Sequence, residues 1–206
     1  MIGHRTASRR TLRYVVVPTI AFAATAGLIW RASYAAFDPS TSRSADAPGQ
    51  VTLTDDAHGT ALFSPGGPVV PGAAGTQCVK VTSTAGDAGS VRMYLTDLVG
   101  TTNGFQNHMM ITVEQGRGSG TGSCVGFVAD AAGQVIPRQS FAAAAEQFAD
   151  FESGAGDWAT HGNTTGESMS YKVTWEFDTT GMSQAAQNSL MGEQTGLRFE
   201  WELQSV

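Results

Sequence analysis

The chain has 206 residues, a formal net charge of −6 and 25 glycines. All 18 acidic residues lie after residue 35, with only seven of the 12 basic residues, and this balance argues against nucleic-acid binding, which needs cations facing phosphates. Abundant glycine, with Ser and Thr as the main polar residues, favours short strands joined by turns.

Residues 1–35 are predicted to be a signal peptide. Residues 1–13 are basic, and the next 17, "YVVVPTIAFAATAGLIW", carry no charge. Ser33 and Ala35 supply small residues at the −3 and −1 positions of a cut between Ala35 and Ala36. The alternative is a retained membrane anchor, for which this apolar run is near the lower length limit. "SRRTLR" also fits a twin-arginine signal, although an ordinary basic n-region is favoured.

The mature chain is therefore predicted to be secreted or held at the cell surface. Signal peptidase would be a partner, and membrane contact would occur only through an uncleaved signal segment. Residues 36–50 are expected to form a flexible N-terminal arm. Its run from Asp38 onward is low in complexity, and Pro39 removes a donor from any strand ladder.

Residues 51–206 are predicted to form one antiparallel β-sandwich domain. "VTLTD" and "TALFS", separated by "DAHG", indicate a hairpin. Weaker period-two alternation follows in "TQCVKVTST", "VRMYLTDL" and "HMMITVEQ", and "SCVGFVAD" is predicted to be a strand after a Gly-rich turn. The alternation is strongest in "SYKVTWEFD" and "LRFEWELQ". One polar and one apolar face in each strand indicates two sheets around a shared core.

Two segments have helical rather than strand spacing. "SFAAAAEQFADFESG" places Phe141, Ala144, Phe148 and Phe151 on one face, with Ser140 as the N-cap and Gly154 as the stop. "SQAAQNSLMG", residues 183–192, predicts a shorter helix or helical turn. Both fit as connections laid over a sandwich.

Cys78 and Cys124 are the disulfide candidates. In a strand each would point away from the apolar face, so a bridge would join strands on the outer side of the sandwich. A closed loop of this size would contribute roughly 4 kcal/mol in the chain-entropy model. The alternative is two free thiols.

The sequence contains no catalytic or metal-binding motif that we can assign, so we expect no cofactor and assign no catalytic or metal-ligand residue. The three histidines after residue 35, His58, His108 and His161, are far apart, and the cluster of Asp55, Asp56 and His58 fits a solvated hairpin tip. "GRGSGTGSCVG" lacks the register of a dinucleotide- or phosphate-binding loop.

Three tryptophans, Trp158, Trp175 and Trp201, are candidates for a sugar-binding site. Trp175 and Trp201 lie on the apolar faces of strong strands, where core packing is expected. Trp158, in the segment "WATHGNTTG", is predicted to lie in a loop, which makes it the candidate for an exposed aromatic platform.

"SYAAFDPSTSRSADAPGQVTLTDDAHGTALF", "VVPGAAGTQCVKVTSTA", "VRMYLTDL" and "LRFEWELQ" together resemble secreted actinobacterial relatives of the TasA/camelysin group, with a SipW-dependent type of signal peptide. The resemblance implies a jelly-roll sandwich and assembly into extracellular matrix or biofilm fibres, with the protein itself or other matrix proteins as partners. It also implies that the segment from Ala36 is added to the next subunit's sheet, with Phe37 as its apolar anchor.

The expected function is thus a structural protein of the cell surface or extracellular matrix. The family name also implies a metalloendopeptidase, for which the sequence offers no ligand set, and we rank it below the structural function. A third alternative is a glycan-binding or adhesive module centred on Trp158.

Overall fold

The computed structural model describes residues 35–41, 53–55, 69–120, 122–162 and 165–205. The rest of the predicted signal segment, residues 1–34, and of the predicted arm, residues 42–50, lies outside these ranges. Within them, the chain forms two β-sheets, and successive strands from the third onward pass repeatedly from one sheet to the other. The predicted all-β, sandwich-like architecture is confirmed at this level.

The four-stranded sheet has the order β1, β9, β4, β7. These strands are β1 (Ala35–Thr41), β4 (Ala88–Val99), β7 (Ala155–His161) and β9 (Thr195–Ser205). β4 pairs antiparallel with both β7 and β9, whereas β1 pairs with β9 in parallel. Among the described strands, β1 and β9 are thus the only neighbours in this sheet that pair in parallel.

The five-stranded sheet has the order β2, β3, β8, β5, β6 and is antiparallel throughout. Its strands are β2 (Leu53–Asp55), β3 (Ala74–Ser83), β5 (Met109–Arg117), β6 (Val128–Ser140) and β8 (Glu167–Phe177). Among the described residues β2 pairs with β3, and the second half of the predicted hairpin, residues 60–64, lies outside them.

The core lies between the two sheets and follows the alternation of the strands. In β8 and β9 every second residue is buried, and the set consists of large apolar or aromatic side chains: Tyr171, Val173, Trp175, Phe177, Leu197, Phe199, Trp201 and Leu203. The rings of Tyr171 and Trp201, one from each sheet, have centroids 5.4 Å apart. Burying such side chains contributes about 1.5–3 kcal/mol each, so this face holds the sheets together.

Two short helices cover the sandwich at the predicted positions. Helix α1 (Phe141–Gln147) follows Ser140, whose hydroxyl accepts a hydrogen bond from the Ala143 N–H. Helix α2 (Gln184–Leu190) follows Ser183, which accepts one from the Ala186 N–H. Helix α1 is shorter than its sequence spacing suggested, because the backbone leaves helical geometry at Phe148. A 3-10 turn, Phe105–Asn107, precedes β5.

The Gly-rich segment 118–127, called the outer loop below, corrects one predicted strand. Ser123 to Phe127 are not in a strand, and β6 begins only at Val128. Gly118 has a φ of 91°, and a side chain there would collide with the carbonyl oxygen of Gly126, so the loop folds tightly on itself. Val125, which lies in the predicted strand "SCVGFVAD", is 85% exposed.

The outer loop lies against the outer face of the five-stranded sheet. Cys78 and Cys124 form a disulfide with 5.2 Å between their Cα atoms. Ser170 Oγ donates a hydrogen bond to the Ser119 carbonyl at 3.1 Å, and Lys172 Nζ lies 5.4 Å from the centre of the Phe127 ring. The disulfide joins a strand to this loop, and not two strands as the alternation suggested. Cys78 is fully buried on the outer side of the sheet.

Candidate functional site

The pairing of β1 with β9 concerns the segment that follows the predicted cleavage site. Seven residues of β1 lie opposite seven of β9, from Ala35 opposite Thr195 to Thr41 opposite Trp201. Among the described strands, β1 is the outermost of its sheet and β9 is its one partner. Removing it would leave one edge of β9 with unpaired N–H and C=O groups along these residues.

The two faces of β9 differ in character. The residues that point into the core are apolar and buried: Leu197, Phe199, Trp201 and Leu203. The alternate residues Arg198, Glu200 and Glu202 point outward and are only partly buried. The outward row therefore presents one cation followed by two carboxylates.

The two carboxylates are held by β4. The Tyr94 hydroxyl lies 3.1 Å from Glu200 Oε2 and 3.2 Å from Glu202 Oε2, and Thr96 Oγ1 donates to Glu200 Oε1 at 3.0 Å. A hydroxyl has one proton to donate, so it serves one of the two glutamates at a time. These contacts fix the positions of the acids beside the β9 edge.

The cation is held by an irregular segment of β4. Arg198 Nη1 lies 2.6 Å from Asp97 Oδ2. Asp97 has a φ of 49°, in the left-handed region, and the pairing of β4 with β9 shifts register between Thr96 and Val99. Asp and Asn tolerate this backbone region better than most residues. The bulge thus places a carboxylate beside Arg198 that a regular strand would point elsewhere.

Of the residues predicted at the cleavage site, Ser33 lies outside the described residues, whereas Ala35 and Ala36 begin β1. Phe37, the predicted anchor, stands opposite Leu197 in the register. Residues 36–41 of the predicted flexible arm belong to β1. Pro39 is compatible with this position, because an edge strand directs only alternate N–H groups to its one neighbour.

The histidines do not converge among the described residues. His161 pairs with Glu167 across the β7–β8 connection, with 3.0 Å between Nδ1 and Oε2, and His108 caps the 3-10 turn before β5. Asp55 belongs to β2, whereas Asp56 and His58 lie outside the described residues. In the part of the chain that the structure describes, no group of three or more His, Cys, Asp or Glu side chains is placed to hold a metal ion.

The aromatic platform proposed around Trp158 is corrected by the structure. Trp158 lies in β7, is 7% exposed and belongs to the hydrophobic core. The sequence around Trp158 favours a loop, because its neighbours are small and polar and the alternation in "AGDWATH" is weak. Trp175 and Trp201 are buried in the core, as predicted.

Sequence reasoning missed Arg198, Asp97 and Tyr94. The alternation of β9 already placed Arg198 on an outward face with Glu200 and Glu202. The contacts to β4 and the position beside β1 depend on strand register, and a single sequence carries little information about pairings between distant segments.

Comparison with protein-family models finds no family that matches this chain, and comparison with curated proteins finds no match either. Within the described ranges, none of the helices has the length and apolar character needed to cross a membrane.

Proposed function

We propose that this protein is an exported structural subunit of the cell surface or extracellular matrix, which forms fibres by adding its first strand to the sheet of the next copy. The observation that carries the proposal is the position of β1. The segment that follows the predicted cut at Ala35 is an edge strand, paired with a single neighbour, β9.

An edge strand of this kind is suited to exchange between copies. The pairing between β1 and β9 consists of main-chain hydrogen bonds, which any copy of the same segment can make. The pairing is also parallel, which is slightly less stable per residue than the antiparallel pairing of the other described strand pairs, so β1 is the easier strand to release. Strand addition from one copy to the next is head-to-tail, and head-to-tail contacts that do not close into a ring produce filaments.

The chain is long enough between the two elements to permit this exchange. Eleven residues, 42–52, separate β1 from β2. At ~3.3–3.6 Å per residue, a segment of this length can span up to roughly 36–40 Å, more than the length of a seven-residue strand. A strand could therefore reach a neighbouring copy while its own domain stays folded.

The sequence resemblance supports the same function. The basic N-terminal region, the uncharged run and the small residues at the proposed cut are those of an export signal. The TasA/camelysin resemblance implies fibre subunits with a jelly-roll sandwich, and strands that pass repeatedly between two sheets are compatible with that topology. We propose accordingly that the protein is secreted, is TasA-like and has a jelly-roll fold.

The first test is electron microscopy of the mature chain, residues 36–206, beside a shorter chain that begins at Gly49. The proposal expects filaments from the longer chain and none from the shorter. Filaments from both would place the joint elsewhere. Uniform single particles from both would overturn fibre assembly.

A cross-linking test identifies the joint itself. Ser40 lies opposite Glu200 in the register, and both native cysteines are engaged in the disulfide, so an introduced thiol has no native free thiol to react with. Mature chains carrying S40C and chains carrying E200C are mixed and oxidised. Exchange predicts a disulfide-linked pair of one chain of each kind. The matched control pairs S40C with E202C. Position 202 is on the same face of β9 as position 200 but two residues further along, so this pair should cross-link far less.

A further inference from the structure

The outward-facing side chains of β9, Arg198, Glu200 and Glu202, are not needed for main-chain pairing with β1, but they can determine the register of that pairing. Sliding β1 by two residues preserves which residues point inward, and the inward row of β9 stays apolar along its length, from Leu197 to Leu203. The main-chain hydrogen bonds are also preserved when the step is toward the C-terminal end of β9, which runs to Ser205, whereas a step the other way would move Ala35 and Ala36 past Thr195, where β9 begins. Neither the ladder nor the core face therefore selects strongly against the step toward Ser205.

The charges of the outward row do distinguish the registers. In the structure Asp38 stands opposite Arg198 and Ser40 opposite Glu200. A slip of two residues in one direction would put Asp38 opposite Glu200, and like charges directly opposite are destabilising. A slip in the other direction would put Asp38 opposite Gly196, which has no side chain. Of these three registers, only the observed one opposes an acid with a base.

We infer that Arg198 fixes the register of the strand that pairs with β9, by recognising an acidic residue at the position that Asp38 occupies. The partner is thus the first strand of this chain or of another copy, in which Asp38 lies two residues after Ala36, the first residue of the predicted mature chain. For a strand that comes from another copy, the inference rests on the proposed fibre function. For the β1 strand of the same chain, it does not depend on that function.

Arg198 is built to keep its position when β1 is absent. Asp97 holds one guanidinium nitrogen, and Glu200 is held separately by Tyr94 and Thr96. A guanidinium has five N–H donors, so a second carboxylate on the β1 side can bind while Asp97 stays in place. Because Arg198 and Glu200 are already held by β4, their side chains lose little conformational freedom when β1 pairs with β9.

A simpler interpretation is that Arg198 serves only its ion pair with Asp97, since both side chains are more than a third exposed. Exposed pairs of this kind contribute little to stability. The two interpretations differ in one respect: recognition of Asp38 predicts that reversing both charges restores pairing, whereas a role toward Asp97 alone does not.

The experiment is a charge-reversal cycle read by the S40C–E200C cross-link. R198E is expected to lower the yield or rate of the in-register link about tenfold, because it replaces an opposite-charge pair by a like-charge pair. D38R alone should do the same. The double reversal, D38R with R198E, should restore most of the link. R198Q should fall between the native chain and R198E, and the differences should shrink in ~1 M salt.

Two formats separate this inference from the fibre proposal. In the first, both cysteines are in one chain, so the link reports pairing within the chain. In the second, each cysteine is in a different chain, so the link reports exchange. A charge-dependent link within chains but none between chains supports the register role and overturns exchange. A link unaffected by R198E, or not restored by the double reversal, overturns the register role and leaves exchange standing. D97N is the matched control for the role toward Asp97.

Discussion

Cys78 in β3 and Cys124 in the outer loop are joined by a disulfide across 46 positions of sequence. The link holds a Gly-rich loop against the outer face of the five-stranded sheet, where Ser170 Oγ also donates to the Ser119 carbonyl. The side chain of Val125 in the loop is 85% exposed, and that of Val128, the first residue of β6 after it, is 64% exposed. The attachment of the loop to the sheet should therefore depend strongly on the covalent bond.

Replacing both cysteines by alanine is expected to lower the free energy of unfolding by about 2–4 kcal/mol, because the unfolded chain regains the entropy that the closed loop removes. Urea denaturation of the mature chain measures the change. S170A, which removes only the hydrogen bond to Ser119, is the control and should cost about 1 kcal/mol. An unfolding midpoint unchanged by the double replacement would show that the loop is held without the disulfide.

Removing the hydroxyl of Tyr171 and removing that of Tyr94 are expected to change the stability of the protein in opposite directions. Among the described residues the fully buried Tyr171 hydroxyl has no hydrogen-bond partner, whereas the Tyr94 hydroxyl contacts Glu200 and Glu202. Y171F removes an unpaired buried group and should leave stability unchanged or raise it by up to about 1 kcal/mol, while Y94F should lower it by about 0.5–1.5 kcal/mol. Thermal unfolding of the two variants checks both signs. A clear loss of stability in Y171F would contradict the first.

Burial raises the pKa of Tyr171. Because the folded pKa exceeds the unfolded value of about 10, stability is fully present below pH ~10 and falls as the pH rises above it. Y171F should remove this part of the alkaline loss. The check is a series of unfolding midpoints from pH 8 to pH 11 for both chains.

How much of this could be predicted from sequence differs between local and non-local features. The buried faces of β8 and β9 follow from alternation, which is a local property, and Ser140 is recognisable as the N-cap of the first helix. These features need only neighbouring residues. The start of β6 was missed, because tight packing of the outer loop interrupts an apolar run that otherwise resembles a strand.

The candidate site was harder to predict because it depends on register. Considered alone, the segment around Pro39 is too polar to be predicted as a strand. As an edge strand that pairs with β9 on one side, it can accommodate Pro39 and its polar neighbours. The position of Asp97 depends on a bulge in the pairing of β4 with β9. Both facts arise from tertiary pairing, which outweighs local preference.

An acid-sensitive ion pair links β6 to the end of β8. Arg138 Nη2 lies 2.8 Å from Asp178 Oδ2, and the hydrogen bond from Arg138, with others from Thr180, holds the pKa of Asp178 well below its usual range. Because the folded pKa is depressed, the stabilisation is present above the unfolded pKa of about 3.9 and is lost as the pH falls toward the folded value.

D178N should therefore lower the unfolding temperature at pH 7 and reduce its further fall between about pH 4 and pH 2. The effect should be at most about 1 kcal/mol, since Arg138 is half exposed. R138Q should behave in the same way, and E146Q, at an exposed position of helix α1, serves as the control. Equal acid sensitivity in D178N and the native chain would exclude this pair as a source of it.

Alanine substitutions at Gly156 and Gly181 distinguish the cost of backbone strain from the cost of a steric collision. Both have positive φ, 70° and 75°, but a Cβ at Gly156 would lie 2.5 Å from Gln115 Oε1, whereas one at Gly181 would meet nothing within 4 Å. G181A should cost only the left-handed strain, about 1–2 kcal/mol. G156A should cost this and a displacement of Gln115, whose Nε2 donates to Asp130 Oδ2 at 3.1 Å.

The expected order of stability is thus native chain, then G181A, then G156A, measured by urea denaturation with equal m-values. Gln115 is 3% exposed, so its amide has little room to move, and displacing it would break its bond to Asp130. The double variant G156A with Q115A tests this directly, because shortening Gln115 removes the collision and should make the second substitution less costly than it is alone. Additive losses in the double variant would show that backbone strain, and not the side chain of Gln115, limits this position.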